Sequence, residues 1–221
     1  MYKYVVFDLD GTLVNSLFDL ADSVNKALEK NGLPAHPYDA YKYFVGNGRA
    51  KLIERAMGDA ASDEKLRALV TKDYDDDYLI HCLDKTKPYD GIVEMLLKLQ
   101  QNGVKINVLS NKPDEFVKNM LDKLFKGIKF DIAWGKKAEY PTKPDPSSVL
   151  AVLDKLSADK KDCLYVGDSN VDVITARNAG LDFCGVLWGF RTKEELENEG
   201  AKTTVTSADE LYKVIMNGAE Q

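Results

Sequence analysis

The sequence predicts an α/β fold, a Rossmann-like, doubly wound parallel sheet with an inserted helical cap, and three observations predict it. Tyr4-Val5-Val6-Phe7 is an apolar run without alternation, the pattern of a parallel strand covered on both faces. From residue 92 onward, helical and strand patterns take turns, which implies a parallel sheet with helices on each side. Between these regions, residues 16–84 show helical periodicity and no convincing buried strand. The expected division is a core of 1–15 and 86–221, with 16–85 inserted as a cap.

Each element has its own local reason. Leu17, Leu20, Val24, Ala27 and Leu28 recur at helical spacing until Asn31-Gly32 stops the run and Pro34 blocks its continuation. Tyr41–Val45 is ambiguous; a short helix is expected over Ala50–Met57, after Gly46-Asn47-Gly48-Arg49. Residues 62–81 read as another helix, with Leu66, Leu69, Val70, Tyr74, Tyr78 and Leu79 as its apolar face. Asp84–Gly91 reads as a return linker. Then follow a helix over Ile92–Gln101, a strand over Val104–Ser110 and a helix over Pro113–Phe125. A short strand over Phe130–Trp134, a helix over Pro146–Leu156 and a strand over Cys163–Gly167 come next. Asn170–Asn178 is helical and closed by Gly180, and Phe183–Leu187 is a strand. Lys193–Glu199 is a short helix, Thr203–Thr206 an edge strand, and Ser207 caps a last helix.

Composition narrows the function. With 221 residues, 44% of them hydrophobic, the chain can bury a substantial core. Thirty basic against 36 acidic residues leave a net charge of −6 without any Lys/Arg block, so nucleic acid is not expected as a partner. Cys82, Cys163 and Cys184 form no CxxC pair, and an odd count argues against a disulfide framework; a reducing cytoplasm is the expected location. The N-terminus lacks a signal-peptide pattern, and no run approaches the roughly 18 apolar residues of a membrane span.

Chemistry collects after strands. Asp8 and Asp10 follow the first strand, and alternation lets both carboxylates face one group, one as nucleophile and one as proton shuttle. Asp10-Gly11 equally suits an Asx turn. Ser110-Asn111, with Lys112-Pro113 opening a helix, can hold an anion or simply cap that helix. Lys143, between the turn-forming residues of Thr142-Lys143-Pro144-Asp145-Pro146, supplies a placed positive charge or is an exposed loop lysine. Asp168 and Asp172, four residues apart at a helix start, suit Mg²⁺ or capping. Four such features on one sheet edge favour a shared site over four independent caps.

In order, DLDGT (8–12), LSNK (109–112), KPDP (143–146) and GDSNVD (167–172) resemble the four motifs of the haloacid dehalogenase superfamily. PYDG at 88–91, ARNAG at 176–180 and GVLWGF at 185–190 resemble its phosphoglycolate phosphatase-like branch, whose helical cap resembles the 16–85 insert. The resemblance implies a Mg²⁺-dependent phosphatase for a small phosphorylated metabolite, phosphoglycolate-like or nucleotide-like. It implies that Asp8 forms an aspartyl phosphate and that Asp10 protonates the leaving oxygen and then activates water. It implies that Ser110, with Asn111 beside it, and Lys143 hold the phosphoryl group. It implies Mg²⁺ bound by Asp8, the Asp10 carbonyl and Asp168, with Asp172 as ligand or support. Dehalogenase members lack the second acid of the first motif, so Asp10 points to phosphoryl transfer.

Electrostatics agrees that all these parts are needed. A carboxylate about 4 Å from a phosphate dianion meets roughly 8 kcal/mol of repulsion at an effective dielectric of about 20. Mg²⁺ and Lys143 would reverse that field. Arg49, a forked cation closing the Gly46–Arg49 loop, is the candidate for a carboxylate or second phosphate of the substrate, against the plainer reading of a solvent-facing arginine. Asp73, Asp75, Asp76 and Asp77 lack EF-hand spacing and read as a solvated helix face. His36 and His81 lie away from the motifs. A sugar-phosphate mutase, a pyrophosphatase and a non-catalytic binding module are the rival readings, and both monomer and homodimer are compatible with the sequence.

Overall fold

The computed structural model describes residues 1–218 and places β1 (Tyr4–Phe7) inside a six-stranded sheet. Val5 and Phe7 enter one apolar cluster and Val6 another, so successive side chains serve the two faces of the sheet. After Asp10, β2 (Val14–Asn15) leads into four helices, α1 (Leu17–Lys30), α2 (Tyr38–Phe44), α3 (Arg49–Met57) and α4 (Glu64–His81). The chain returns through β3 (Lys87–Pro88), which pairs antiparallel with β2. Departure and return are therefore tied at one place. Buried Asp19 of α1 reinforces the tie, accepting from the Lys85 and Thr86 N–H groups and from the Thr86 hydroxyl at 2.7–3.0 Å.

Helix and strand then alternate. The elements are α5 (Ile92–Gln101), β4 (Lys105–Pro113), α6 (Asp114–Leu124), β5 (Ile132–Lys136), α7 (Ser147–Leu156) and β6 (Cys163–Gly167). They continue with α8 (Asn170–Ala179), β7 (Asp182–Val186), α9 (Lys193–Asn198), β8 (Thr204–Val205) and α10 (Ala208–Asn217). The sheet order is β5-β4-β1-β6-β7-β8, every pair parallel. Connections run one way from β1 through β4 to β5 and the other way from β6 to β8. The carboxyl ends of β4, β1 and β6 thus flank a topological switch point, the usual ligand position in such sheets.

One ambiguity is resolved and three local expectations are corrected. Tyr41–Val45, ambiguous in sequence, lies largely in α2, where Tyr41, Phe44 and His36 pack edge to face. The strand expected to end at Ser110 runs on to Pro113, with its register against β5 shifting between Leu109 and Pro113, so Lys112 stands on a distorted strand end and α6 begins at Asp114. On α4 only the narrow stripe Val70, Tyr74 and Tyr78 is buried, whereas Leu69 and Leu79 are 54% and 67% exposed. The acids of α4 are also more than a solvated face: Asp73 pairs with Lys30 and Asn31, and Asp77 with Ser23 and Lys26, crosslinking α4 to α1.

Candidate active site

Strand ends explain how distant residues meet. Asp8 follows β1, Ser110, Asn111 and Lys112 occupy the end of β4, and Asp168 follows β6. Because β4 and β6 are the two neighbours of β1, these residues share one edge without further constraint. Lys143 comes from the segment between β5 and α7, and Asp172 from the first turn of α8.

Lys143 is the electrostatic centre. Its side chain is 2% exposed, and Nζ lies 2.8 Å from Asp172 Oδ1, 3.0 Å from Asp8 Oδ1 and 3.0 Å from the Tyr165 hydroxyl. Burial alone would lower its pKa, but Asp172 and Asp8 outweigh burial and hold the ammonium well above its ordinary value. The approach to Asp8 is an ion contact outside hydrogen-bonding direction, so Asp8 Oδ1 is buried and receives no hydrogen bond. Burial pushes the Asp8 carboxyl up to about 7, with Lys143 opposing and the Asp172 and Asp10 charges adding to the rise.

Asp168 completes an acid-rich pocket. Thr12 Oγ1 donates to its Oδ1 at 3.1 Å and the Phe190 N–H to its Oδ2 at 2.8 Å, yet burial first, then Asp172 and Asp8, raise its pKa well above the carboxylate range. Oxygens of Asp8, Asp168 and Asp172, all buried, lie within 4.8 Å of one another. Three carboxylates beside one ammonium leave the pocket short of positive charge. An all-oxygen donor set with an orphaned Asp8 oxygen fits a hard divalent cation such as Mg²⁺. Gly11, at φ +87°, allows this approach, since a Cβ there would overlap the Asp168 carboxylate.

The other expected residues fall in graded positions. Ser110 is buried, and its hydroxyl accepts from the Lys112 N–H at 3.3 Å. The Asn111 amide is already engaged: Nδ2 donates to the carbonyls of Gly46 and Lys143, and Oδ1 accepts from the Lys143 N–H. Asp172 accepts from Lys143 on Oδ1 and from the Ser169 N–H and hydroxyl on Oδ2, so it both caps α8 within a capping box and faces the buried lysine. Arg49 lines the same cleft, which also reaches Asp8, Asp10 and Ser110, but its guanidinium pairs with Asp75 at 2.6 Å.

Several partners escaped the sequence reading. Lys112 Nζ contacts Asp10 Oδ1 and Oδ2 at 3.0 and 3.2 Å and the Tyr78 hydroxyl at 2.7 Å. Ser16 donates to Asp10 Oδ1 at 2.5 Å. Arg191, buried after β7, donates to the carbonyls of Lys42 and Val45 in and beside α2. The available signal was a lysine and an arginine adjoining motif residues, but a lysine assigned to a helix start carries no expectation of burial.

A sheet of this topology with acids and a buried lysine at its switch point belongs to a recognised class: the haloacid dehalogenase-like hydrolase model matches residues 5–186, and the chain is a member of that family. Within the family it is similar to the phosphoglycolate phosphatase of Colwellia psychrerythraea, at 32% identity over 95% of each chain. It is 31% identical to the phosphoglycolate phosphatase of Aquifex aeolicus over 97% of each. Among solved structures, one from Lactobacillus delbrueckii subsp. bulgaricus superimposes with a TM-score of 0.91 at 32% identity, covering 97% of this chain and 98% of the other. Among the described residues, no helix is long and apolar enough to cross a membrane.

Proposed function

We propose that this chain is a Mg²⁺-dependent phosphatase of small phosphate monoesters, with a phosphoglycolate-like or nucleotide-like substrate. The observation that carries the reading is the buried set of Asp8, Asp168 and Asp172 around one lysine at the switch point of the sheet. Family membership and the phosphoglycolate phosphatase names of its relatives support it.

In this reading an Asp8 oxygen attacks phosphorus as the ester P–O bond breaks, and the proton on Asp10 goes to the leaving oxygen. Water then attacks the aspartyl phosphate, gives its proton to Asp10 and restores Asp8 with release of phosphate. Lys143, rigidly placed by Asp172 and Tyr165, and Ser110 hold the phosphoryl oxygens. Asp8 and Asp168, with the Asp10 carbonyl, would hold Mg²⁺, while Asp172 keeps Lys143 in place. The ion supplies charge neutralisation for a carboxylate and a phosphate that otherwise repel.

Residues 16–85 act as the cap and supply the substrate-facing wall through Leu20, Arg49 and Tyr74. Cap closure would exclude bulk water before attack. The test is phosphate release from phosphoglycolate, nucleotide, sugar-phosphate and pyrophosphate substrates with and without Mg²⁺. Metal-dependent release from a small monoester is expected. No turnover of any of them with the metal present refutes the reading, and phosphoryl return to a sugar identifies a mutase instead.

A further inference from the structure

Lys112 has no assigned role, yet it is among the most constrained side chains in the cleft. Its side chain is 4% exposed and its ammonium contacts both oxygens of Asp10 and the Tyr78 hydroxyl. Burying an ammonium costs several kcal/mol that one carboxylate repays only in good geometry, so an apolar residue of equal length would serve packing at least as well. A lysine in this place is better explained by what it holds.

Asp10 is held asymmetrically. Oδ1 receives the Ser16 hydroxyl at 2.5 Å and Lys112 at 3.0 Å, whereas Oδ2 meets only the longer Lys112 contact at 3.2 Å. Two donors converging on Oδ1 fix the plane of the carboxyl group and leave Oδ2 as the oxygen able to exchange a proton with a substrate. The position of Lys112 depends in turn on α4. Tyr78 is buried, stacked on Tyr74 at 5.3 Å and edge-packed on Phe116 of α6 at 5.1 Å, so its hydroxyl is a fixed acceptor for Lys112. The distorted end of β4 aims Lys112 into this gap between helix and core.

We infer that Lys112 is a positioning residue for Asp10, itself anchored by Tyr78 of α4, so that the proton-transferring carboxyl is aligned only while α4 stands against the core. The inference rests on the phosphatase reading above. In the step it serves, the ester P–O bond breaks as the Asp8–phosphorus bond forms, and the Asp10 proton ends on the leaving oxygen. A leaving group that departs as a stable anion has little use for that alignment.

The experiment compares kcat/KM for phosphoglycolate, whose alkoxide needs a proton, with that for p-nitrophenyl phosphate, whose phenolate does not, in wild type, Lys112→Met and Tyr78→Phe. Because kcat/KM reports only steps through the first irreversible one, later water activation does not enter. In Lys112→Met the phosphoglycolate value should fall about 10²-fold or more, the scale of general acid catalysis, and the p-nitrophenyl value by less than about tenfold. Tyr78→Phe retains the packed ring and should show the same imbalance at several-fold size; it decides the question if Lys112→Met does not fold. Equal losses on both esters, or no loss on either, overturn the inference. Where phosphoglycolate is not turned over, the nucleotide or sugar phosphate that is turned over serves as the alkyl ester, and a wild type that turns over none of them with Mg²⁺ present refutes the phosphatase reading itself.

Discussion

Replacing Lys143 by Met keeps the length of the stem and removes only the ammonium, so its effect isolates the charge. The side chain is 2% exposed and touches Asp8, Asp172 and Tyr165 within 3.0 Å, with Asp168 adding a third acid to the pocket. Removing one partner of a buried pair costs about 3–5 kcal/mol. For a chain of this size, roughly 2–4 °C of melting temperature accompanies each kcal/mol, so a drop of about 6–20 °C is expected in metal-free protein. The sign of the pH dependence follows from Asp8. Its carboxyl stands at about 7 when folded against an ordinary 3.8, so the folded state binds that proton more tightly and loses stability as pH rises between those values. Lys143 lowers the Asp8 value, so its loss lifts the carboxyl further and enlarges the deficit on the alkaline side. Thermal melting with chelator should therefore show a larger gap between variant and wild type at about pH 8 than near pH 5. Adding Asp172→Asn should recover part of the loss, with a coupling of about 0.5–3 kcal/mol. A melting temperature within about 2 °C of wild type at pH 8, less than 1 kcal/mol by the same conversion, would refute the assignment of Lys143 as the charge that holds these acids together.

Other perturbations probe the remaining parts. Asp8→Asn should abolish turnover, by at least about 10³-fold, while metal-free protein melts no lower than wild type near neutral pH, because an orphaned, repelled carboxylate is removed; substantial metal-dependent activity would eliminate Asp8 as nucleophile. Mg²⁺ binding followed calorimetrically should tighten as pH rises toward 7 by up to about tenfold per unit, since the ion must displace the proton held by Asp8, and Asp168 extends the trend upward. A flat affinity between acid and neutral pH would exclude those carboxyls as ligands. Gly11→Ala combines a left-handed φ of +87° with overlap of the Asp168 carboxylate, so Mg²⁺ affinity should fall at least tenfold and stability by about 1–3 kcal/mol. Unchanged binding by titration would show that Asp168 is not held where it matters.

The strands and helices of the core were legible because burial on both faces, turn residues and caps leave local marks. Tyr4–Phe7 without alternation, Gly103 and Gly180 as stops, and Ser207 as a cap each state a backbone requirement close to where it is met. Asp8, Lys143 and Asp168 were legible for a related reason: each follows a strand, and a parallel sheet brings strand ends to one edge whatever their separation in sequence. The face of α4 was not, since which of Leu69, Val70 and Leu79 turns inward depends on where α1 lies.

What the sequence alone determined is thus the fold class, the family and the edge on which the acids gather. Only the tertiary structure decided which charge answers which. It sends Asp172 to Lys143, Arg49 to Asp75, and Lys112 away from a helix start to Asp10 and Tyr78. Backbone patterns are written locally, whereas the partner of a long, flexible cation is set within a few ångströms by elements that meet only after folding.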